Sequence, residues 1–209
     1  MFETSELMLF IAAGLMLNIT PGPDMIYCAS RAIGQGKRAG VVSALGIGAG
    51  TLVHMLSAAL GLSVLLTYSA VAFQIVKYVG AAYLVYLGVR MIAAGEAAQS
   101  PVLLAGGNLR KIFWQAVTTN VLNPKVALFF LSFLPQFVHP SRGSVMLQIS
   151  LLSLIFIVNG TLVLILLSLL FGRLGSWLET RPRFWKAQRW TTGGMLAALG
   201  VSLALWERE

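Results

Sequence analysis

Two charged residues lie inside long apolar runs, and each directly follows a proline. They sit in Asn18-Ile19-Thr20-Pro21-Gly22-Pro23-Asp24 and in Asn123-Pro124-Lys125. Lys125 is thirteen residues from either end of the run Ile112–Val138, about 20 Å from each end at helical rise. A lysine stem cannot reach that far, and an ammonium at the centre of a bilayer costs about 2.5–3.5 kcal/mol on insertion scales. It therefore needs a partner, a watery cavity or neutrality. Asp24 lies nearer the basic residues around Arg31, so a plain alternative is open to it: a helix-start carboxylate reaching water. If both charges face one cavity at the midplane, each lowers the other's desolvation cost.

The prolines indicate how such a cavity is built. Each removes a backbone donor and clashes with the preceding turn, and residues before proline avoid the helical region, which places the first break at Thr20 and Gly22. The chain can restart as a helix with Thr20 as N-cap and Pro21 at the first position. In the second motif Asn123 caps, Pro124 opens, and a half-helix Lys125–Phe137 follows. Two half-helix N-termini, each with about half a positive charge, would face one region from opposite sides, a setting suited to a carboxylate. A single proline in a membrane span usually only shapes packing. Two breaks at matching places, each beside a charge, point to a binding site. The expected substrate-binding residues are Asn18, Thr20, Pro21, Gly22, Pro23, Asp24, Asn120, Asn123, Pro124 and Lys125, with Asp24 and Lys125 as the candidates for proton coupling.

Other polar groups read more plainly. Thr119 and Gln115 are ordinary interhelical glue, and Gly46, Gly48 and Gly50 allow close helix approach. His54 is a conceivable proton carrier, but a lone His beside Ser57 is more often a hydrogen-bonded packing residue. The cluster Phe129-Phe130…Phe133 is core or lipid-facing rather than a ligand cage.

These residues need elements to hold them, and composition fixes the kind. Hydrophobic residues make up 57% and charged residues 11%, too little charge to cover a water-soluble domain. Runs long enough to cross hydrocarbon as helices are Leu7–Ala29, Ala39–Leu66, Val71–Ala94, Ile112–Val138, Val145–Phe171 and Trp190–Trp206. An open sheet would leave its backbone unpaired in lipid, so the expected class is all-α integral membrane. The first run begins with Glu3 and Glu6 and has no basic start, which argues against a cleaved signal. The single cysteine, Cys28, excludes an internal disulfide and a thiolate metal cage.

The chain also repeats. Lys77–Val89 reads onto Arg189–Val201, Gly50-Thr51-Leu52-Val53 onto Gly160-Thr161-Leu162-Val163, and Thr20-Pro21 onto Asn123-Pro124, all in one order. A repeat of three spans must enter the bilayer from opposite sides in its two copies, the inverted architecture of alternating-access carriers. The expectation is one membrane domain, 1–209, with broken helices 1 and 4: a first repeat of about 1–95, a linker of about 96–111 and a second repeat of about 112–209. Of the net charge of +8, Arg31, Lys37, Arg38, Arg90, Arg110, Lys111, Arg173, Arg181, Arg183, Lys186 and Arg189 fall in or beside the first, third and fifth loops. Cationic loops stay cytoplasmic, so both termini face outward. The basic fifth loop, with Trp177, Trp185 and Trp190, suits lipid headgroups rather than nucleic acid.

Thr20–Asp24, the series Gly40…Gly46…Gly50, Gly80–Gly88, Asn123–Phe130 and Phe133-Leu134-Pro135-Gln136-Phe137 resemble the LysE/RhtB amino-acid exporter family over nearly the whole chain. The resemblance implies export of amino acids or close derivatives from the bacterial cytoplasm across the inner membrane, driven by the proton gradient. By position it puts the functional region at Thr20–Asp24 and Asn123–Lys125. It calls for no cofactor and no metal, and its partners are the substrate, the proton and membrane lipid. Glycine-lined faces could serve a homodimer as easily as the monomer's own packing. Rival readings are a channel, a small-cation carrier, or an intramembrane hydrolase, which would need more than His54 and His139 as bases.

Overall fold

The computed structural model describes residues 2–20, 22–62, 70–93, 107–179 and 182–205, and in them every long element is helical. Helix α1 spans Thr4–Ile19 and α2 Pro23–Gln35. Helix α3 runs Lys37–Ser57 and ends in a π-helical turn, Ala58–Leu62. Helix α4 is Ala70–Ala93, α5 Leu109–Val121 and α6 Pro124–Leu128, the last continuing as a π-helical turn Phe129–Phe133 and a 3₁₀ turn Leu134–Phe137. Helix α7 is Val145–Glu179 and α8 Pro182–Leu205.

Two continuous helical stretches, Lys37–Gly61 and Val145–Arg173, are long and apolar enough to cross a membrane. The pairs α1/α2 and α5/α6 also reach that length when each is taken as one broken span, bent by 51° and 47°. Both breaks fall at prolines, as expected. Pro21 itself and most of the linker lie outside the described residues.

Four details correct the sequence reading. Helix α2 opens at Pro23 with Gly22 as N-cap, so the restart falls one proline later than expected; Gly22, preceding a proline, is held extended. Thr20 ends α1 instead, its Oγ donating to the Met16 carbonyl at 2.5 Å. The half-helix after Pro124 is α-helical for five residues only, then widens and tightens toward Pro135, which cannot donate to a regular ladder. The fifth loop is mostly helix: α7 continues to Glu179 and α8 begins at Pro182, in the first-turn position proline favours. The first loop shrinks to Gly36, whose φ of +85° turns α2 sharply into α3 and favours glycine.

Packing follows small residues. A Cβ added at Gly50 would lie 2.8 Å from Asn120 Cβ, and one at Gly160, its match in the repeat, 2.8 Å from Asn18 Oδ1. At Gly46 it would meet Ala116 Cβ at 2.7 Å, while Gly14 lies against Phe156 at 3.3 Å. At Gly88 it would come within 2.4 Å of the Gly193 carbonyl, and at Gly200 within 2.6 Å of the Ala81 carbonyl. Within each of these three pairs, the second contact is the first with the two halves exchanged, to within a residue. Among the described residues, helices α4 and α8 make the most extensive interface. Lipid offers no apolar driving force between helices, so such close approach supplies the dispersion that binds them.

The described residues form two apolar clusters. One gathers Phe10, Phe129, Phe130, Phe133, Phe137 and Phe156, with Phe129 stacked on Phe156 at 4.3 Å, so the phenylalanine series is core. The other holds Met25, Cys28, Ala32, Ala44, Ile47 and Leu164. Cys28 is a buried packing residue in the middle of α2. Buried polar groups that include Thr20, Asp24, Thr51, Asn120 and Lys125 line the region the two breaks open.

Candidate functional site

Each break leaves a carbonyl whose usual donor, four residues on, is a proline nitrogen. In α1 that carbonyl is Leu17, whose donor would be Pro21; the Lys125 ammonium donates to it at 3.1 Å and to the Thr20 carbonyl at 2.8 Å. In α5 it is Asn120, whose donor would be Pro124; the Asn123 amide donates to it at 2.8 Å and the His54 ring contacts it through Nε2 at 3.0 Å. A carbonyl cannot donate, so Nε2 carries the proton. His54, also stacked on Phe130 at 5.9 Å, is the hydrogen-bonded packing residue expected, though its partner is the break and not Ser57. Lys125 therefore sits at the carbonyl end of α1, where a cation is favoured. Gly22 lets it approach: a Cβ there would stand 3.1 Å from Nζ.

Asp24, in the first turn of α2, is only 7% exposed, which excludes the plain reading of a water-facing helix start. Its Oδ2 accepts from Asn120 Nδ2 at 2.8 Å. Its Oδ1 and Asn123 Nδ2 are both buried without a hydrogen bond of ordinary geometry among the described residues, although Asn123 lies close enough to act on the Asp24 carboxylate. Asn120 is the hub: its side chain donates to Asp24, its Oδ1 is 3.2 Å from the Thr51 hydroxyl, and its carbonyl takes His54. Asn123 caps α6, accepting from the Lys125 amide at 3.0 Å, as the sequence predicts. Asp24 and Lys125 act on each other through space but form no direct ion pair within 4 Å among the described residues.

A cavity opens onto these groups. Of the ten residues expected, Asn18, Thr20, Asp24, Asn120 and Lys125 line it; Gly22, Asn123 and the two remaining described prolines shape the backbone around it. Sequence reasoning missed Thr51 and Thr161, which line the cavity beside the two matched glycines. The Gly-Thr pairing in the repeat was the signal that could have found them.

Two polar braces flank the site. On one side Arg31, 5% exposed, donates to Gln115 Oε1 at 2.7 Å and to the Tyr27 hydroxyl at 3.3 Å; Tyr27 in turn donates to the Ile112 carbonyl at 3.0 Å, joining α2 to α5. On the other, Arg142 bridges Glu3 at 2.7 Å and Glu6 at 2.8 Å, and His139 approaches Glu6 at 3.1 Å. Exposed pairs of this second kind contribute little each, about 0–1 kcal/mol, but they tie the start of α1 to the segment after the second broken helix.

An all-helical membrane protein with an oppositely charged, buried cavity between two broken helices is a translocator in class. The chain belongs to the LysE type translocator family, whose model matches residues 15–206. It is 29% identical over 195 residues to the homoserine/homoserine lactone efflux protein of Salmonella typhimurium, covering 93% of this chain and 94% of that one. It is 32% identical over 134 residues to the leucine efflux protein of Salmonella choleraesuis, 62% of this chain and 61% of that one. An uncharacterised membrane protein of Bacillus subtilis is 29% identical over 209 residues, 96% and 99% of the two chains. No solved structure matches the chain.

Proposed function

We propose that this protein is a proton-coupled secondary exporter of amino acids or their close derivatives, placed in the bacterial inner membrane. Homoserine and leucine, named for its relatives, are the first substrates to try. The observation that carries the reading is the Asp24 carboxylate: buried, held on one oxygen by Asn120, and with its other oxygen unpartnered beside the cavity. A substrate ammonium would complete it. The substrate carboxylate would turn toward Lys125 and the N-terminus of α2, both positive in character. In the empty carrier a proton would take the ammonium's place on Asp24, so that substrate and proton exclude each other.

The test is efflux from cells preloaded with labelled homoserine or leucine, with and without expression. Expected is saturable loss of label that stops when a protonophore collapses the gradient, together with growth on otherwise toxic levels of the substrate. Loss that never saturates would identify a channel, and no loss for any amino acid would refute the exporter.

The same reading places 1–209 in one membrane domain of six spans, as two inverted three-helix repeats with both termini outside. The exchanged glycine contacts support it, and so does the arrangement of cationic residues. Single cysteines at Arg38, Arg110 and Arg183, in a Cys28→Ser background, should react with an impermeant maleimide only in inside-out vesicles. A cysteine added at the C-terminus should react only in intact cells opened at the outer membrane. Labelling of Arg38 and the C-terminus from the same side would remove a span, and the inverted repeat with it.

A further inference from the structure

We propose that the groove between α2 and α5 beside Arg31 is the cytoplasmic entry vestibule, where Arg31 and Lys111 capture the substrate carboxylate before the ammonium reaches Asp24. This rests on the exporter reading and adds a second, earlier site to it. The groove is open to solvent and has a volume of about 540 Å³, within the range of small-molecule sites. Among the described residues it is lined by two cations and no carboxylate, with Tyr27, Gln115, Thr118 and Thr119 as neutral polar groups and Trp114 as an apolar wall.

Its position supports a path. On α2, Asp24 lines the inner cavity while Tyr27 and Arg31, three and seven residues on, line the groove. They share one helix face and span about 10 Å along the axis. On α5, Asn120 lines the inner cavity while Gln115 and Thr118 line the groove. The two spaces therefore flank one seam. An α-amino acid is too short to bridge Arg31 and Asp24 at once, so the two sites act in turn.

Two of the groups that hold Arg31 at the seam are neutral acceptors. Arg31 donates to the amide oxygen of Gln115 and to the Tyr27 hydroxyl. A carboxylate accepts from a guanidinium more strongly than either, and can do so at two oxygens. Its arrival exchanges Gln115 for substrate and releases the side-chain brace between α2 and α5. Lys111, one turn before Gln115 and exposed, steers the anion in.

Lys111→Gln tests this without disturbing buried structure. In inside-out vesicles at low salt, the variant should raise KM for L-homoserine or L-leucine about 3- to 5-fold, the size of a solvent-screened charge contact, with kcat within twofold. Added salt should raise the wild-type KM toward that of the variant. Homoserine lactone and leucinamide keep the ammonium but lack the carboxylate, so their KM should not change. Unchanged KM for the carboxylate substrates, with transport intact, overturns the vestibule and leaves the exporter standing. An equal rise for lactone or amide, varying with the anionic lipid content of the vesicles, assigns the cations to lipid headgroups and also overturns it. A wild type that carries no amino acid at all refutes the exporter reading, and this inference with it.

Discussion

Asp24→Asn is expected to insert at normal abundance and to lower export at least about a hundredfold. The replacement has the same shape, and its amide oxygen can still accept from Asn120 Nδ2, as Oδ2 does at 2.8 Å. What changes is the buried second oxygen, now without a partner, where an NH₂ group would meet the substrate ammonium donor to donor. Leaving a buried charge without its counter-ion costs about 3–5 kcal/mol, which exceeds a hundredfold at about 1.4 kcal/mol per decade. The exchange of proton for substrate is lost as well, since an amide does not titrate. Quantitative blotting of membranes beside initial efflux rates separates insertion from transport. Export within threefold of wild type would take Asp24 out of the site and leave it as a polar contact for Asn120.

The part of this site legible in the sequence was the local part. Asn123-Pro124 announced a capped, proline-opened helix, because both signals act within three residues of the helix start. Thr20-Pro21-Gly22-Pro23 held two such starts, and the pre-proline restriction on Gly22 decides for the second. Partners between the halves were not legible. Nothing local says that Lys125 should meet the carbonyls of Leu17 and Thr20, more than a hundred residues away, or that Asn120 should meet Asp24. Arg31 was read as one of several loop cations; it belongs to α2 and is buried, with Gln115 as its acceptor. Gln115 is the interhelical glue expected of it, as the other half of that brace. The π-helical turn at Phe129–Phe133 had no signature either, because an unbroken apolar run carries no period by which its winding could be told.

Lys125→Met is expected to abolish export and, unlike Asp24→Asn, to lower membrane abundance. The ammonium donates to two carbonyls at the end of α1, and the Leu17 carbonyl has lost its helical donor to Pro21. Methionine fills similar space but donates nothing, leaving the buried Leu17 carbonyl without its donor at about 1–3 kcal/mol. The positive wall of the cavity goes with it, so a substrate carboxylate loses its counter-charge. The double variant Asp24→Asn, Lys125→Met decides which contribution dominates. Were the two charges chiefly a buried ion pair, removing both would restore abundance, since no unpaired charge would remain. They form no ion pair within 4 Å among the described residues, and the Leu17 carbonyl stays without a donor whatever happens at Asp24. The double variant should therefore be no more abundant than Lys125→Met alone, and equally inactive. Abundance returning to the wild-type level in the double variant would show that Coulomb attraction across the cavity, rather than the strut from Lys125 to the broken end of α1, is what holds the two halves together.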